Sequence, residues 1–372
     1  MFFTKRDLRC NSSLSQKYKY GEPLPKVKEQ GTSVKILFKI FSLCFYLGLT
    51  TAFGLPSLQS QELKPLKVYI DKDFYIALKN TLPLSFPFME EKFKTSKTLP
   101  KRQIDWVPFT QQDLWRHLKQ EGGKTPADVV VGLDSVYTPV LDAAPFPSMI
   151  RESIYFPFQW EKKEFLPIGY GYLAILYDPT RISLPSQSLW EFISVKTDES
   201  LFLPDPQKDG IGLAFVSWVM EALPYARKSH WQILRNKIKS VVASHQAAYN
   251  LFQKGEAPMM IGYTTIKLAK ESSLKEAIPL KMIFYPEGNP IRIFVAYKTI
   301  KAAQDPEADK ILELFTEPAI QRFIAQTLYL YPVRQEAITP ELAKLAKPEQ
   351  IQLPSLHTPE EILAQWQKHL KE

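Results

Sequence analysis

The side chains of this chain that could carry chemistry are dispersed. The five histidines, His117, His230, His245, His357 and His369, lie far apart, and no two share a helix at the spacing of a metal site. Carboxylates form close pairs at Asp71/Asp73 and Asp205/Asp209. Such pairs could exchange protons with a substrate, but the same spacing suits turns and helix caps. Gly169-Tyr-Gly171-Tyr-Leu-Ala174 matches a loose dinucleotide pattern. The fingerprint needs a helix after it, and the residues that follow here read as strand. Gly210-Ile-Gly212 lacks the third small residue. The sequence has no Walker loop, no Gly-x-Ser-x-Gly elbow and no His-Glu-x-x-His. No catalytic residue, metal site or cofactor is expected.

The elements that must position these groups alternate between strand and helix. Leu66 to Ile70 and Ile104 to Phe109 are expected strands, with helices from Phe74 to Asn80 and from Thr110 to Lys119. Ala127 to Leu133 is an unbroken apolar run suited to a strand buried on both faces of a parallel sheet. Tyr170 to Tyr177 and Ala257 to Tyr263 are further strands, the latter followed by a helix to about Ser273. Asp209 is expected to cap an apolar helix reaching Leu223, and Trp231 to Ser240 reads as amphipathic helix. Ser188 to Ser194 and Ser244 to Lys254 are also expected helices. Strands at Lys281 to Tyr285 and Ile291 to Ala296 precede helices at Asp305 to Thr316, Pro318 to Thr327 and Thr358 to Lys371. The fold class expected is α/β.

The chain has 372 residues, 45% of them hydrophobic, and a net charge of +8. That length fits two domains of ordinary size. The charge would suit a nucleic-acid partner if it lay on the folded part. It does not: residues 1–54 hold nine of the 47 Lys/Arg and three of the 39 Asp/Glu, so the remainder carries +2. No nucleic-acid partner is expected. Lys35 and Lys39 precede an apolar run from Ile40 to Leu49, and Ala52-Phe53-Gly54 offers a cleavage site. This is a secretory signal, shorter than a membrane span; an uncleaved anchor is the alternative. A signal beginning at Val34 would be complete in itself, so translation is expected to start at Met1 or near Val34. Both cysteines, Cys10 and Cys44, precede the cut. The exported chain would then have no disulfide or thiol nucleophile.

Five segments, in order, resemble the thiamine-binding periplasmic proteins of bacterial ABC importers. They are ADVVVGLDS (Ala127–Ser135), LPIGYGYLAILYD (Leu166–Asp178), DPQKDGIGLAFVSW (Asp205–Trp218), AYNLFQKGEAPMMIGYTT (Ala248–Thr265) and LYPVRQ (Leu330–Gln335). The resemblance spans Leu66 to Lys371. It implies a two-lobed type II periplasmic-binding-protein fold with a ligand cleft between the lobes. Lobe one would be residues 62–168 plus 290–340, lobe two 169–289, and 341–372 a C-terminal helical segment. It further implies a monomer in the periplasm that captures thiamine or a similar organic cation for an ABC permease and its ATPase, touching the membrane only through that permease. Aromatic rings and carboxylates would hold the cation.

Carried over by position, the resemblance implies ligand contacts from Asp71, Asp134, Ser135, Tyr170, Lys208, Asp209, His245, Tyr249, Tyr263 and Tyr329. Several of these depart from the family pattern. His245 stands where a Trp is usual, Tyr329 replaces another Trp, and Lys208 and Asp209 replace hydroxyls at a helix start. Hydroxyls there would favour a phosphate, whereas Asp209 would cap its own helix and repel one. Phosphorylated thiamine is therefore expected to bind poorly. Two alternatives stay open. One keeps the fold with a different ligand, such as a polyamine, another organic cation or a metal, although no Tyr-Tyr pair of the ferric-binding type is present. The other is an enzyme on this fold.

Overall fold

The computed structural model describes residues 64–81, 100–158, 160–266, 268, 279–355 and 357–371. The expected leader and signal (1–54) lie outside these residues, as does most of the helix expected to end near Ser273.

The first βα units follow their sequence pattern. β1 (Leu66–Asp71) leads into α1 (Lys72–Thr81), and β2 (Ile104–Phe109) into α2 (Gln111–Glu121). The Thr110 hydroxyl caps α2 by accepting from the Asp113 N–H at 3.2 Å. β3 (Val129–Asp134) is buried along its whole length, as an unbroken apolar run requires. α3 (Ser148–Glu152) and β4 (Leu166–Tyr177) follow, then α4 (Leu189–Ser194) and β5 (Leu201–Pro204). α5 (Gly210–Ala222) starts at its Asp209 cap and is buried over most of its length. Next come α6 (Lys228–Lys237), β6 (Ile238–Val242), α7 (His245–Gln253), β7 (Met259–Tyr263), β8 (Lys281–Ile283) and β9 (Asn289–Lys298). α8 (Pro306–Thr316), α9 (Pro318–Thr327), α10 (Pro340–Lys344), β10 (Ile351–Gln352) and α11 (Pro359–His369) complete the described elements. α11 opens with a full capping box between Thr358 and Glu361.

The sheet runs β2-β1-β3-β9-β4-β7-β5-β6. Parallel strands occupy each end, β1 with β2 and β3, and β5 with β6 and β7. The two long antiparallel strands β4 and β9 join these halves. β4 pairs with β9 from Leu166 to Tyr172, then with β7 from Leu173 to Tyr177. Asn289 ties the join: its side chain donates to the Leu173 carbonyl and accepts from the Tyr285 N–H. The C-terminal stretch returns to this join, β10 pairing with the start of β9, while α11 packs on α5 and α6.

One expected element is corrected. The amphipathic stretch from Trp231 to Ser240 ends as helix at Lys237, and Ile238–Val242 is an edge strand. Only its end residues are partly covered, so it lacks the apolar alternation that marks a half-buried strand. β6 matters because it delivers the chain to α7.

Candidate functional site

Four βα junctions converge on one cavity of about 300 Å³. β1–α1 contributes Asp71, Asp73 and Phe74; β2–α2 contributes Thr110, Gln111 and Gln112. β5–α5 contributes Lys208, Asp209 and Gly210, and β6–α7 contributes His245. The cavity therefore lies beyond the carboxyl ends of both parallel strand sets, where α/β folds place ligands. Tyr263 from β7, Arg292 and Phe294 from β9, and Leu328 and Leu330 after α9 close the rest of the wall.

Helix N-termini carry partial positive charge and attract anions. Here the chain's own carboxylates answer that charge. Asp71 Oδ1 accepts from the N–H groups of Asp73 (3.0 Å) and Phe74 (3.2 Å) at the start of α1. Asp209 serves two helices at once. Its Oδ1 accepts from Ile211 N–H in α5 and its Oδ2 from His245 N–H in α7, both at 2.8 Å. With these seats filled, the cavity lining holds three carboxylates, Asp71, Asp73 and Asp209, and three cationic side chains, Lys72, Lys208 and Arg292. Burial, reinforced by the neighbouring Asp73, pushes the Asp71 carboxyl up to about 7. Burial also raises Asp73, with Asp209 adding to the shift and Lys72 opposing it. A cation seated beside Asp71 and Asp73 would relieve the repulsion between these two carboxylates.

The same wall holds a fixed positive group. Arg292 is buried and forms an ion pair with Asp134 through Nε and Nη2. Its guanidinium sits 5.5 Å from the centre of the Tyr263 ring and 5.4 Å from that of Phe294. Burial works against its charge, but Asp134 and the neighbouring Tyr263 and Asp209 outweigh burial, so the group stays protonated. His245 is pushed the opposite way, below its ordinary range, mainly by burial. Its Nε2 and the Tyr263 hydroxyl are both buried and have no hydrogen-bond partner among the described residues.

Of the residues expected from sequence, Asp71, Lys208, Asp209, His245 and Tyr263 line the cavity. Asp134 stands one layer behind, touching Arg292 and accepting from Val136 N–H. The other four lie elsewhere. Ser135 starts a 3-10 turn and faces a separate space of about 20 Å³ beside Ser217 and Ser355. Tyr170 points into the core, stacked on Tyr331 at 5.4 Å. Side chains alternate along a strand, so Gly169 and Gly171 face the opposite way, toward Leu330 and, for Gly171, Tyr263. Tyr249 packs on the apolar cluster of Ala174, Leu176, Phe252 and Met260. Tyr329 takes a left-handed φ of 52° between two lining leucines and is not itself a lining residue.

Arg292, Gln111, Phe74 and Phe294 were not singled out from sequence. Arg292 had a readable signal: a lone charge inside the apolar run Pro-Ile-Arg-Ile-Phe-Val-Ala. Gln111 is a connector, its amide donating to the Gly132 carbonyl at 2.6 Å and accepting from Asp134 N–H at 2.9 Å. The histidines are scattered; His369, for example, stacks on Trp231. Among the described residues no three His, Cys, Asp or Glu gather as a metal site.

Comparison with known proteins agrees with this architecture. Residues 129–353 match the family described as bacterial extracellular solute-binding protein. The thiamine-binding periplasmic protein of Brucella abortus is 33% identical over 253 residues, covering 67% of this chain and 73% of that one. A solved structure of a periplasmic thiamin binding protein superposes with a TM-score of 0.62 at 26% identity, covering 82% of this chain and 93% of the other. The ferric binding protein from Campylobacter jejuni shares the fold, with a TM-score of 0.64 at 16% identity over 82% of this chain and 98% of that one. The chain has the two-lobed α/β type II periplasmic-binding-protein fold, and it belongs to the bacterial extracellular solute-binding proteins, among the thiamine-binding periplasmic proteins.

Proposed function

We propose that this protein is the extracytoplasmic receptor of an ABC importer and that it captures unphosphorylated thiamine, or an organic cation built like it, for the permease. The observation that carries this reading is the pair of acceptor bonds from Asp209 to the N-termini of α5 and α7. That carboxylate occupies the seat a phosphate would take, and with Asp71 and Asp73 it makes the cavity attractive to positive charge. Tyr263, Phe74 and Phe294 supply aromatic faces on the same wall. The cavity volume of about 300 Å³ lies at the small end of ligand pockets, about 300–1,000 Å³. Lobe one (62–168 plus 290–340) and lobe two (169–289) would close over the ligand, and closure would be read by the permease. The change of partners in β4 after Tyr172 supports a boundary there.

Calorimetry of the exported chain tests the ligand. Thiamine is expected to bind at micromolar concentration or tighter, and thiamine pyrophosphate at least 100-fold more weakly. Equal binding of the two would overturn the reading of Asp209, and no binding of thiamine would overturn the assignment of ligand. We further infer export by the Val34–Gly54 signal, the protein acting as a monomer. N-terminal sequencing and light scattering of periplasmic material test those points.

A further inference from the structure

Three side chains of the cavity wall, Arg292, Tyr263 and His245, each rest against a glycine whose own backbone does not demand glycine. Gly210 makes room for the Arg292 guanidinium. A Cβ on Gly171 would lie 2.8 Å from the Tyr263 ring, and one on Gly262 would lie 2.9 Å from His245 Nε2. Each approach is closer than van der Waals contact, so each side chain keeps its place only because its neighbour has no Cβ. The three seats differ in what can give way. Arg292 is pinned by its ion pair with Asp134, and the Tyr263 ring has that guanidinium 5.5 Å from its centre. His245 is tied through its backbone N–H to Asp209, but its Nε2 has no hydrogen-bond partner among the described residues. The imidazole is therefore the wall group whose position a neighbouring side chain can set.

The direction of any displacement follows from what lies around Gly262. It shares a face of β7 with Met260, which packs with Ala174, Leu176 and Phe252. A methyl on Gly262 would also meet Leu176 Cδ1 at 2.9 Å. That atom belongs to a close-packed cluster with little room to yield. His245 lines the cavity and Gly262 does not, so an imidazole pushed off Gly262 moves into the cavity. At about 300 Å³ the space is already at the lower bound for ligand pockets. A ring entering it would take it below that bound.

We propose that Gly262 is a positioning residue that sets ligand size: by leaving the His245 ring recessed, it keeps open the part of the cavity that takes the second ring of a two-ring cation. Gly262 touches no ligand itself and acts through His245. The selection is steric, by space left rather than by charge. The proposal deepens the reading of an organic-cation site and rests on it.

The test uses thiamine and its single-ring fragment 3,4-dimethyl-5-(2-hydroxyethyl)thiazolium, which carry the same cationic ring. By calorimetry, G262A is expected to bind thiamine at least tenfold more weakly than the parent and the fragment within threefold of it. Against H245A as reference, adding G262A is expected to cost thiamine less than threefold, because the ring it would displace is gone. A second readout needs no ligand. Carbethoxylation of His245 by diethyl pyrocarbonate, followed by peptide mass spectrometry, is expected to run at least fivefold faster in G262A than in the parent, whose Nε2 is buried. Equal losses for the two probes, the same thiamine loss in the H245A background, or an unchanged modification rate overturns the proposal. If G262A fails to fold, the intact protein decides. Saturating thiamine is expected to slow His245 modification at least tenfold and the saturating fragment is not; protection by both, or by neither, overturns the proposal. Faster His245 modification in G262A without thiamine binding to the parent would remove thiamine as ligand and leave this inference intact. Thiamine binding with equal losses for both probes would do the reverse.

Discussion

Asp71 stores a conflict between stability and binding that one substitution can expose. Its side chain is 5% exposed, and its carboxyl is pushed from an ordinary 3.8 up to about 7, by burial first and then by Asp73. In the unfolded chain the proton leaves near pH 4, whereas in the folded protein it leaves near pH 7. Between those values the folded state holds the extra proton, so stability from this group is fully present below about pH 4 and is lost as pH rises through 7. Three decades of proton affinity at about 1.36 kcal/mol each bound the loss at roughly 4 kcal/mol. D71N removes the charge while its Oδ1 can still accept from the N–H groups of Asp73 and Phe74. The variant is expected to melt several degrees higher than the parent at pH 8 and at nearly the same temperature at pH 4.5, by calorimetry. Thiamine binding should move the opposite way. A cationic ligand needs the ionised carboxyl, so parental affinity should fall about 30-fold from pH 8.5 to pH 5.5, by the tenfold-per-unit rule for a group titrating near 7. In D71N that dependence should flatten and binding at pH 8 should drop at least tenfold. A lower melting temperature for D71N at pH 8, or unchanged affinity there, would refute the assignment of strain and the cationic site together.

Other perturbations separate the remaining parts of the argument. D209S should admit thiamine pyrophosphate by returning a hydroxyl to the α5 N-terminus, raising its affinity at least tenfold in calorimetry while thiamine affinity falls. G210A places a methyl against the guanidinium of Arg292, which its ion pair with Asp134 holds in place; denaturant unfolding should show a loss of about 1–3 kcal/mol, typical of overpacking. G212A instead drives a Cβ to 2.0 Å from the Pro204 carbonyl oxygen, and no folded protein is expected in a soluble-expression assay. K237M strands the buried Glu199, which pairs with Lys237 at 2.7 Å; urea titration should show a loss of roughly 3–5 kcal/mol, as for other broken buried pairs. E199Q/K237M should recover part of it.

How far the sequence reached depends on whether a signal was local. Asp209 and Thr110 were readable as caps because a cap needs only its own helix, and the structure gives both that role. The continuous burial of Ala127 to Leu133 was readable for the same reason. The tyrosines were not, because a motif match names a position without its face. In Ile-Gly-Tyr-Gly-Tyr the alternation of the strand sends Tyr170 into the core, so the missing side chains of Gly169 and Gly171 shape the site. β6 escaped because an exposed edge strand has no apolar period to show.

Arg292 shows the deeper reason that a site is harder to read than a fold. Its ion pair joins residues 158 positions apart, and its cradle is a glycine on a third element. Neither Asp134 nor Gly210 is unusual in its own segment; only Arg292 is, as a lone charge in an apolar run. A buried charge survives only when it is paired, so a lone Arg inside an apolar strand implies a distant carboxylate. Asp134, which ends the fully buried strand Val129–Asp134 paired with β9, is that carboxylate. Buried charge therefore carries long-range information that hydrophobic periodicity lacks. In this protein it links β9 to Asp134 and to the cavity wall.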